Sequence, residues 1–462
     1  MLILLRSRRR REDLDEAEIA HEEEFAAERR RRRRRELEAL CVCVVALLAG
    51  EKLAPKRRII RRGHAGWEGS AINEYVVHGD EQTYKDKFRV SRKSFKILSN
   101  HLTDAGYLMM NNSRNPERRQ SAEFKLGVCL YFMAGKGKGD LEAVGDAGHI
   151  ARSTVLQYLD DFCNAVCIAL KEIYMPSEAP SPANVVAIRK QFASRRGIAN
   201  VGMATDGCHI PYVPQHERTK NDYKNYKGWT SILVVAFVNS FHLFVEAQAG
   251  HPGRWGDNTV LKDCWFLAQV RRDPKAWLGE DGLIAADGGA SDGGNLLLNP
   301  IPNAKEIEDK WYNFCHSSTR FFVEETFGRW KNRFRFLLFA NDLEHARMTQ
   351  LIYTSCILHN ACTILADDAV DFSAGADEEW EEFFKNYEGH ACPSCIRRNS
   401  FHCVHVEKNK SVKPIKLDSK GAKDVRIKIR AQLWNDLHNS GMGENEALAE
   451  IEAREDRMDF FR

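Results

Sequence analysis

SILVVAFVNSFHLFVEAQAG, residues 231–250, holds two apolar runs rich in β-branched and aromatic side chains, parted by Asn239 and Ser240. That composition and the turn between the runs predict two strands, with VGMATDGCHI (201–210) as a shorter strand before them, so a central sheet begins here. Beyond it, DNTVLKDCWFLAQVRR (257–272) has helical spacing, with Asp257 or Asn258 as its N-cap. GLIAADGG (282–289) reads as a fourth strand, NLLLNPI (295–301) as a fifth, and RFFVEETFGRWKNRFRF (320–336) as an amphipathic helix. Three strands, a helix, two strands and a helix predict a mixed α/β sheet with flanking helices rather than a simple parallel one.

The region ahead of the sheet, residues 80–180, has a helical period. FRVSRKSFKILSNHL opens on Ser91 and Ser94 as cap candidates and places Phe95, Leu98 and Leu102 on one face. SAEFKLGVCLYFMAG follows, then KGKGDLEAVGDAGHIARSTVLQYLDDFCNAV, which reads as a short helix, a glycine turn and a longer helix capped at Ser153. This order is helix-turn-helix-like, and both contact with a DNA major groove and plain bundle packing stay open.

Composition bounds the class. The chain has 462 residues, 43% of them hydrophobic, enough for a large core and for more than one domain. Its 68 basic and 65 acidic residues nearly cancel, yet residues 1–62 hold 18 basic against 12 acidic, including seven consecutive arginines at 29–35. This segment reads as a charged helical or disordered arm, suited to a nuclear address or to phosphate. The 13 cysteines are scattered through apolar runs, which points to a reducing compartment. The longest apolar run, residues 39–49, falls short of the ~20 residues that span a bilayer, so no membrane is expected.

On this framework Asp206 falls at the end of the first strand and Asp287 at the end of the fourth. Glu324 or Glu325 falls near the start of the last helix. Carboxylates leaving adjacent strand ends converge where ligands bind in α/β sheets. Each acid alone has a plainer reading: Asp-Gly is a turn signal, and a helix glutamate favours the helix start. Three in this order suit Mg²⁺ or Mn²⁺, two ions together, in the chemistry where one activates the attacking oxygen and the other stabilises the leaving oxygen of a phosphodiester.

ATDGCHIPYVP, YKGWTSILVVAFVNSFHLFVEAQAGHPGRWGDNTVLKDC, IAADGG, YNFCHSSTRFFVEETFGRWKNRFRFL and LHNAC, in that order, resemble the catalytic domain of PIF/Harbinger-type transposases and the nucleases derived from them. The resemblance covers residues 88–362. It implies a ribonuclease H-like fold over 198–365 with an Asp-Asp-Glu triad that binds divalent metal and cuts and joins DNA. It also implies a nuclear protein, or one cytoplasmic until co-imported, working with a separate Myb-like DNA-binding protein. A homo-oligomer is a further expectation. By position the triad is Asp206, Asp287 and Glu324. Glu325 stands where the family has arginine, and the GGAS after Asp287 replaces the family's aromatic position, with Asp292 a rival acid. His209, Asp257, His316 and Arg320 are candidate supporting residues. Asp257 is expected chiefly as a cap, and Arg320 suits bidentate pairing with phosphate. Arg329, Lys331, Arg333 and Arg335 are candidate DNA contacts.

Residues 366–462 hold an acidic linker, then Cys392, Cys395, His402, Cys403 and His405, a candidate zinc site of tighter spacing than the common fingers. Two helices follow, the first expected to dock on the catalytic domain. Two functions remain: an active metal-dependent nuclease or transposase, and a catalytically silent DNA-binding or interaction protein that keeps the fold.

Overall fold

Five strands make one sheet: β1 (Val201–Pro211), β2 (Ser231–Val238), β3 (Phe244–Pro252), β4 (Leu283–Ala285) and β5 (Leu297–Leu298), in the order β3-β2-β1-β4-β5. The structure is a computed structural model. It describes residues 66–106, 120–290, 296–367, 369 and 422–459, all within one compact unit, Ala65–Arg462. The arm at 1–62, Asp292 and the Cys/His cluster at 392–405 lie outside the described residues.

The sheet is mixed. β1 pairs antiparallel with β2 and β2 with β3, whereas β4 runs parallel to both β1 and β5. Every residue of β2 is buried, because helices cover both faces of the sheet; that double burial explains the unbroken apolar run 231–238. The architecture is ribonuclease H-like α/β, preceded by helices.

Among the described residues these helices begin with α1 (Ala71–His78), α2 (Glu81–Phe88), α3 (Arg92–Asp104), α4 (Ala122–Met133), α5 (Leu141–Ala147), α6 (Arg152–Ala169) and α7 (Lys171–Tyr174). Side-chain caps set several starts: Ser70 accepts from the Asn73 amide, Asp80 from Thr83, Ser91 from Ser94 and Ser121 from Phe124. α6 is different. Its N-cap is Ala151 with no side-chain bond, so Ser153 lies inside the helix and is not the expected cap. α4 is buried nearly all round, the mark of a core helix, and its Phe124, Leu130 and Phe132 share one apolar cluster with the sheet. The exposed positions of α6 are Arg152, Ser153, Gln157, Asp161, Asn164 and Ile168, with Arg152 the one basic side chain on this face.

α8 (Pro182–Arg196) leads into β1, and a short α9 (Lys220–Tyr223) lies between β1 and β2. The stretch 257–272 forms two helices rather than one, α10 (Asp257–Lys262) and α11 (Trp265–Arg272), broken where Cys264 caps the second. With α12 (Pro274–Leu278) they bury Val260, Phe266, Val270 and Trp277 against Leu233, Val235 and Phe237, closing one face of the sheet.

The other face is covered by α13 (Ile307–Arg333) and α14 (His345–Ile364). α13 begins well before Arg320 and has 27 residues, about 40 Å, so Glu324 sits past its midpoint rather than near its start. Arg335 belongs to a following 3₁₀ turn, Arg335–Leu338. At the C-terminal end, α15 (Ala422–Asn439) packs on α13 and β5, with Arg430 Nη1 donating to Asp309 at 2.6 Å, and α16 (Glu444–Asp459) also meets α13. No helix among the described residues is long and apolar enough to cross a membrane.

Candidate active site

Register places the first two acids. Ala204 of β1 is paired with Ala285 of β4, and two residues further along each chain stand Asp206 and Asp287. Strands lie about 4.8 Å apart, so the two carboxylates leave one edge of the parallel pair side by side. Asp206 is in the middle of β1, not at its end, since β1 continues to Pro211 in its pairing with β2. The Asp287 loop is tied down from below. Asn299 Nδ2 donates to the Asp287 carbonyl at 2.6 Å, Tyr312 Oη to the Asn299 carbonyl at 2.9 Å, and His316 Nε2 lies 2.7 Å from the Leu298 carbonyl. Burial pushes His316 down to about 4, so it is a neutral strut between α13 and β5 rather than a group that meets DNA.

α13 brings Arg320 and Glu324 to the same edge, one turn apart. Arg320 Nη1 bonds to Asp206 Oδ2 and Nη2 to Glu324 Oε1, so one guanidinium bridges two of the three acids expected from the sequence. Burial works against the Arg320 charge, but Asp206, Glu324 and Asp287 outweigh it and raise its pKa. Asp206 is pushed up to about 7, chiefly by burial; Arg320 and the Gly207 amide oppose this, while Glu324 and Asp257 add to it. The cluster therefore holds more negative charge than its one arginine balances.

Asp257 is a member of the site and not a cap. The N-cap of α10 is Gly256, and the Asp257 carboxylate lies against Gly207, between Asp206 and Asp287 in its electrostatic contacts. Burial first, then Asp287, raises its pKa. Gly207 has no strained backbone that calls for glycine; the need is space, because a Cβ there would overlap the Asp257 carboxylate. Gly207→Ala is expected to keep the fold but turn Asp257 out of the cluster. Its melting temperature should stay close to wild type while affinity for Mn²⁺ drops about tenfold, as it should in Asp257→Asn; unchanged affinity in both would remove Asp257 from the site.

The neighbouring glutamates face apart, as successive residues on a helix must, by about 100°. Glu325 accepts from Arg329 Nη2 at 2.6 Å and lies 3.7 Å from His242 Nε2, away from the acidic cluster. Of the other basic candidates, Lys331 Nζ donates to the His209 carbonyl at 3.0 Å, which holds it on the rim of the site. Arg333 is only 5% exposed and bonds to Asp367 and the Arg89 carbonyl, a tie between α13 and the N-terminal helices that takes it away from any DNA. Arg335 lies on the same far end. His209 has Nδ1 2.9 Å from Ser231 Oγ and is held down to about 4, by burial and then by Lys331 and Lys227.

Among the described residues, no three Asp, Glu, His or Cys side chains stand together as a metal cage. The donor set still fits a hard divalent cation in its chemistry: Asp206, Asp257, Asp287 and Glu324 are oxygen ligands with surplus charge, and the group between two of them is already a cation. The raised Asp206 pKa has a consequence for stability. Between about pH 4 and pH 7 the folded state binds the Asp206 proton more tightly than the unfolded chain, so wild-type stability falls as pH rises through that window. Asp206→Asn lacks this loss. In chelator its stability relative to wild type should improve from pH 4 to pH 7, by at most about 1.4 kcal/mol per pH unit; a flat difference would show that Asp206 is not raised.

Residues 205–360 match a family described as DDE superfamily endonuclease. The chain is 24% identical over 319 residues to a protein of Arabidopsis thaliana named "Protein ALP1-like", covering 66% of this chain and 76% of that one. No solved structure matches.

Proposed function

We propose that the chain, whose residues 205–360 match the DDE superfamily endonuclease family, is a divalent-metal-dependent DNA endonuclease or transposase of the PIF/Harbinger type with Asp206, Asp287 and Glu324 as its catalytic acids. The observation that supports this is the approach of the three acids to one guanidinium at one strand edge: Asp206 and Glu324 bond to Arg320, and register and charge bring Asp287 to the same group. Asp206, Asp287 and Glu324, with Asp257, would hold Mg²⁺ or Mn²⁺. Two such ions supply an activated water and stabilise the leaving oxygen in phosphodiester cleavage.

The chain's own groups do the rest. Arg320 balances part of the carboxylate charge, and once freed from Asp206 and Glu324 its planar fork lies beside the cluster, suited to a phosphate oxygen pair. Lys331 holds positive charge on the rim. His209, neutral at physiological pH, serves as a hydrogen-bonding group and not as a counter-charge for phosphate. A Myb-like DNA-binding partner and a nuclear site of action rest on the family resemblance, the latter also on the basic arm at 1–62. The test is nicking of supercoiled plasmid by the purified full-length chain: cleavage in Mg²⁺ or Mn²⁺, abolished by chelator, supports the reading.

A second reading, a catalytically silent DNA-binding protein, is favoured by the same Arg320, which sits where a cation would otherwise neutralise the acids. Calorimetric titration separates the two. A chain that takes up neither Mg²⁺ nor Mn²⁺ and does not nick, yet binds DNA, is the silent one.

A further inference from the structure

The hairpin between β1 and β2 carries two large exposed rings, Tyr226 at 83% and Trp229 at 38% exposure. Two rings gathered on one short loop make an exposed apolar patch of the kind that meets a partner. The loop beneath them is rigid. Lys224 and Thr230 form a bridge, Gly228 takes φ of 92°, and Asn225, 4% exposed, organises the turn. The Asn225 amide donates to the Trp229 carbonyl at 2.9 Å, and its Oδ1 accepts from the amides of Lys227 and Trp229 at 3.0 and 3.3 Å. Its Nδ2 donates to Ser231 Oγ at 3.1 Å, the hydroxyl that also meets His209.

The rings also stand at a defined place. The His209 ring centroid is 5.9 Å from both Tyr226 and Trp229, edge-on to each. His209 follows Asp206 by three residues on β1, about 10 Å, and so faces the other side of the sheet, the side it shares with Gly207 and the Asp257 carboxylate of the cluster. Lys227 Nζ lies 5.7 Å from the centre of the Tyr226 ring, and Lys331, seven residues and so two helical turns past Glu324, reaches the His209 carbonyl. Two exposed rings, one with a lysine over it and a second lysine at the neighbouring His209 carbonyl, complement a phosphate-linked base that has left its stack.

We propose that the Tyr226–Trp229 hairpin is a stacking platform for an unpaired nucleobase of the DNA strand bound at the acidic cluster. This rests on the nuclease reading and adds a substrate preference: DNA with an unpaired or flipped nucleotide next to the cut over continuous duplex.

The test uses the full-length chain, with Ca²⁺ in place of Mg²⁺, and two probes. One is a blunt duplex; the other is the same duplex with a single-stranded overhang carrying 2-aminopurine. The overhang should bind more tightly, and 2-aminopurine emission should be quenched on binding. Tyr226→Ala and Trp229→Ala should each weaken overhang binding about tenfold and restore emission, while leaving blunt-duplex affinity unchanged. Tyr226→Phe and Trp229→Phe should behave as wild type. Equal losses on both probes, or bound overhang without quenching, would overturn the platform while leaving nicking and the nuclease reading intact. Binding of neither probe would remove both.

Discussion

Asp206→Asn, Asp287→Asn and Glu324→Gln should each reduce metal-dependent plasmid nicking by about a thousandfold or more, whereas Glu325→Gln leaves it within about threefold. The contrast between the two glutamates is the sharper half of this expectation. They are adjacent in sequence and of one residue type, so composition or net charge cannot separate their effects. Orientation on α13 does: Glu324 shares Arg320 with Asp206, and Glu325 is engaged by Arg329 and approached by His242. Asp206→Asn should not lose nicking through unfolding, because burial disfavours the Asp206 charge and the neutral amide carries none. Melting curves in chelator check this. Retained nicking in Asp206→Asn, or an equal loss in Glu325→Gln, would put the chemistry elsewhere.

Much of this site was legible because it depends on short-range order. The apolar run 231–238 marks a strand buried on both faces, and the aspartates follow apolar strands in a pattern that register then brings together. What the sequence did not disclose depends on contacts between distant segments. The earlier start of α13 is marked only by Ile307, Trp311, Phe314 and Cys315 at helical spacing, and its full length shows once α15 is seen packed along it. Asp257 read as a cap because Asp at a helix start usually is one. Its role shows only when Gly207, fifty residues earlier, is seen to leave the space its carboxylate fills. Arg333 looked like one more DNA-facing cation until its partner Asp367 came into view. The rings of Tyr226 and Trp229 carried no signal of their own, since exposure is a property of the fold and Asn225 is what holds them out.

Arg320→Gln is the substitution that separates an occupied site from an inert one. Two unit charges about 4 Å apart interact by about 4 kcal/mol at the effective dielectric of a protein surface. Burial of the arginine offsets part of that, and its raised pKa shows that attraction to Asp206, Glu324 and Asp287 still prevails. Removing the cation leaves the carboxylates facing one another with nothing between them. The metal-free protein should therefore melt at a lower temperature, and Mn²⁺ should bind about tenfold more tightly and restore the loss, since the ion no longer competes with a resident guanidinium. Nicking should nevertheless fall about a hundredfold, because the fork that would meet the phosphate is gone. Arg320→Lys should recover little of it, as one ammonium cannot present two nitrogens to Asp206 and Glu324 in the way the guanidinium does. Calorimetry with Mn²⁺ reads the first effect without any reference to turnover. Unchanged or weaker metal binding in Arg320→Gln would mean that the arginine and the ion do not share the site, and a rise in nicking would mean that Arg320 only blocks it.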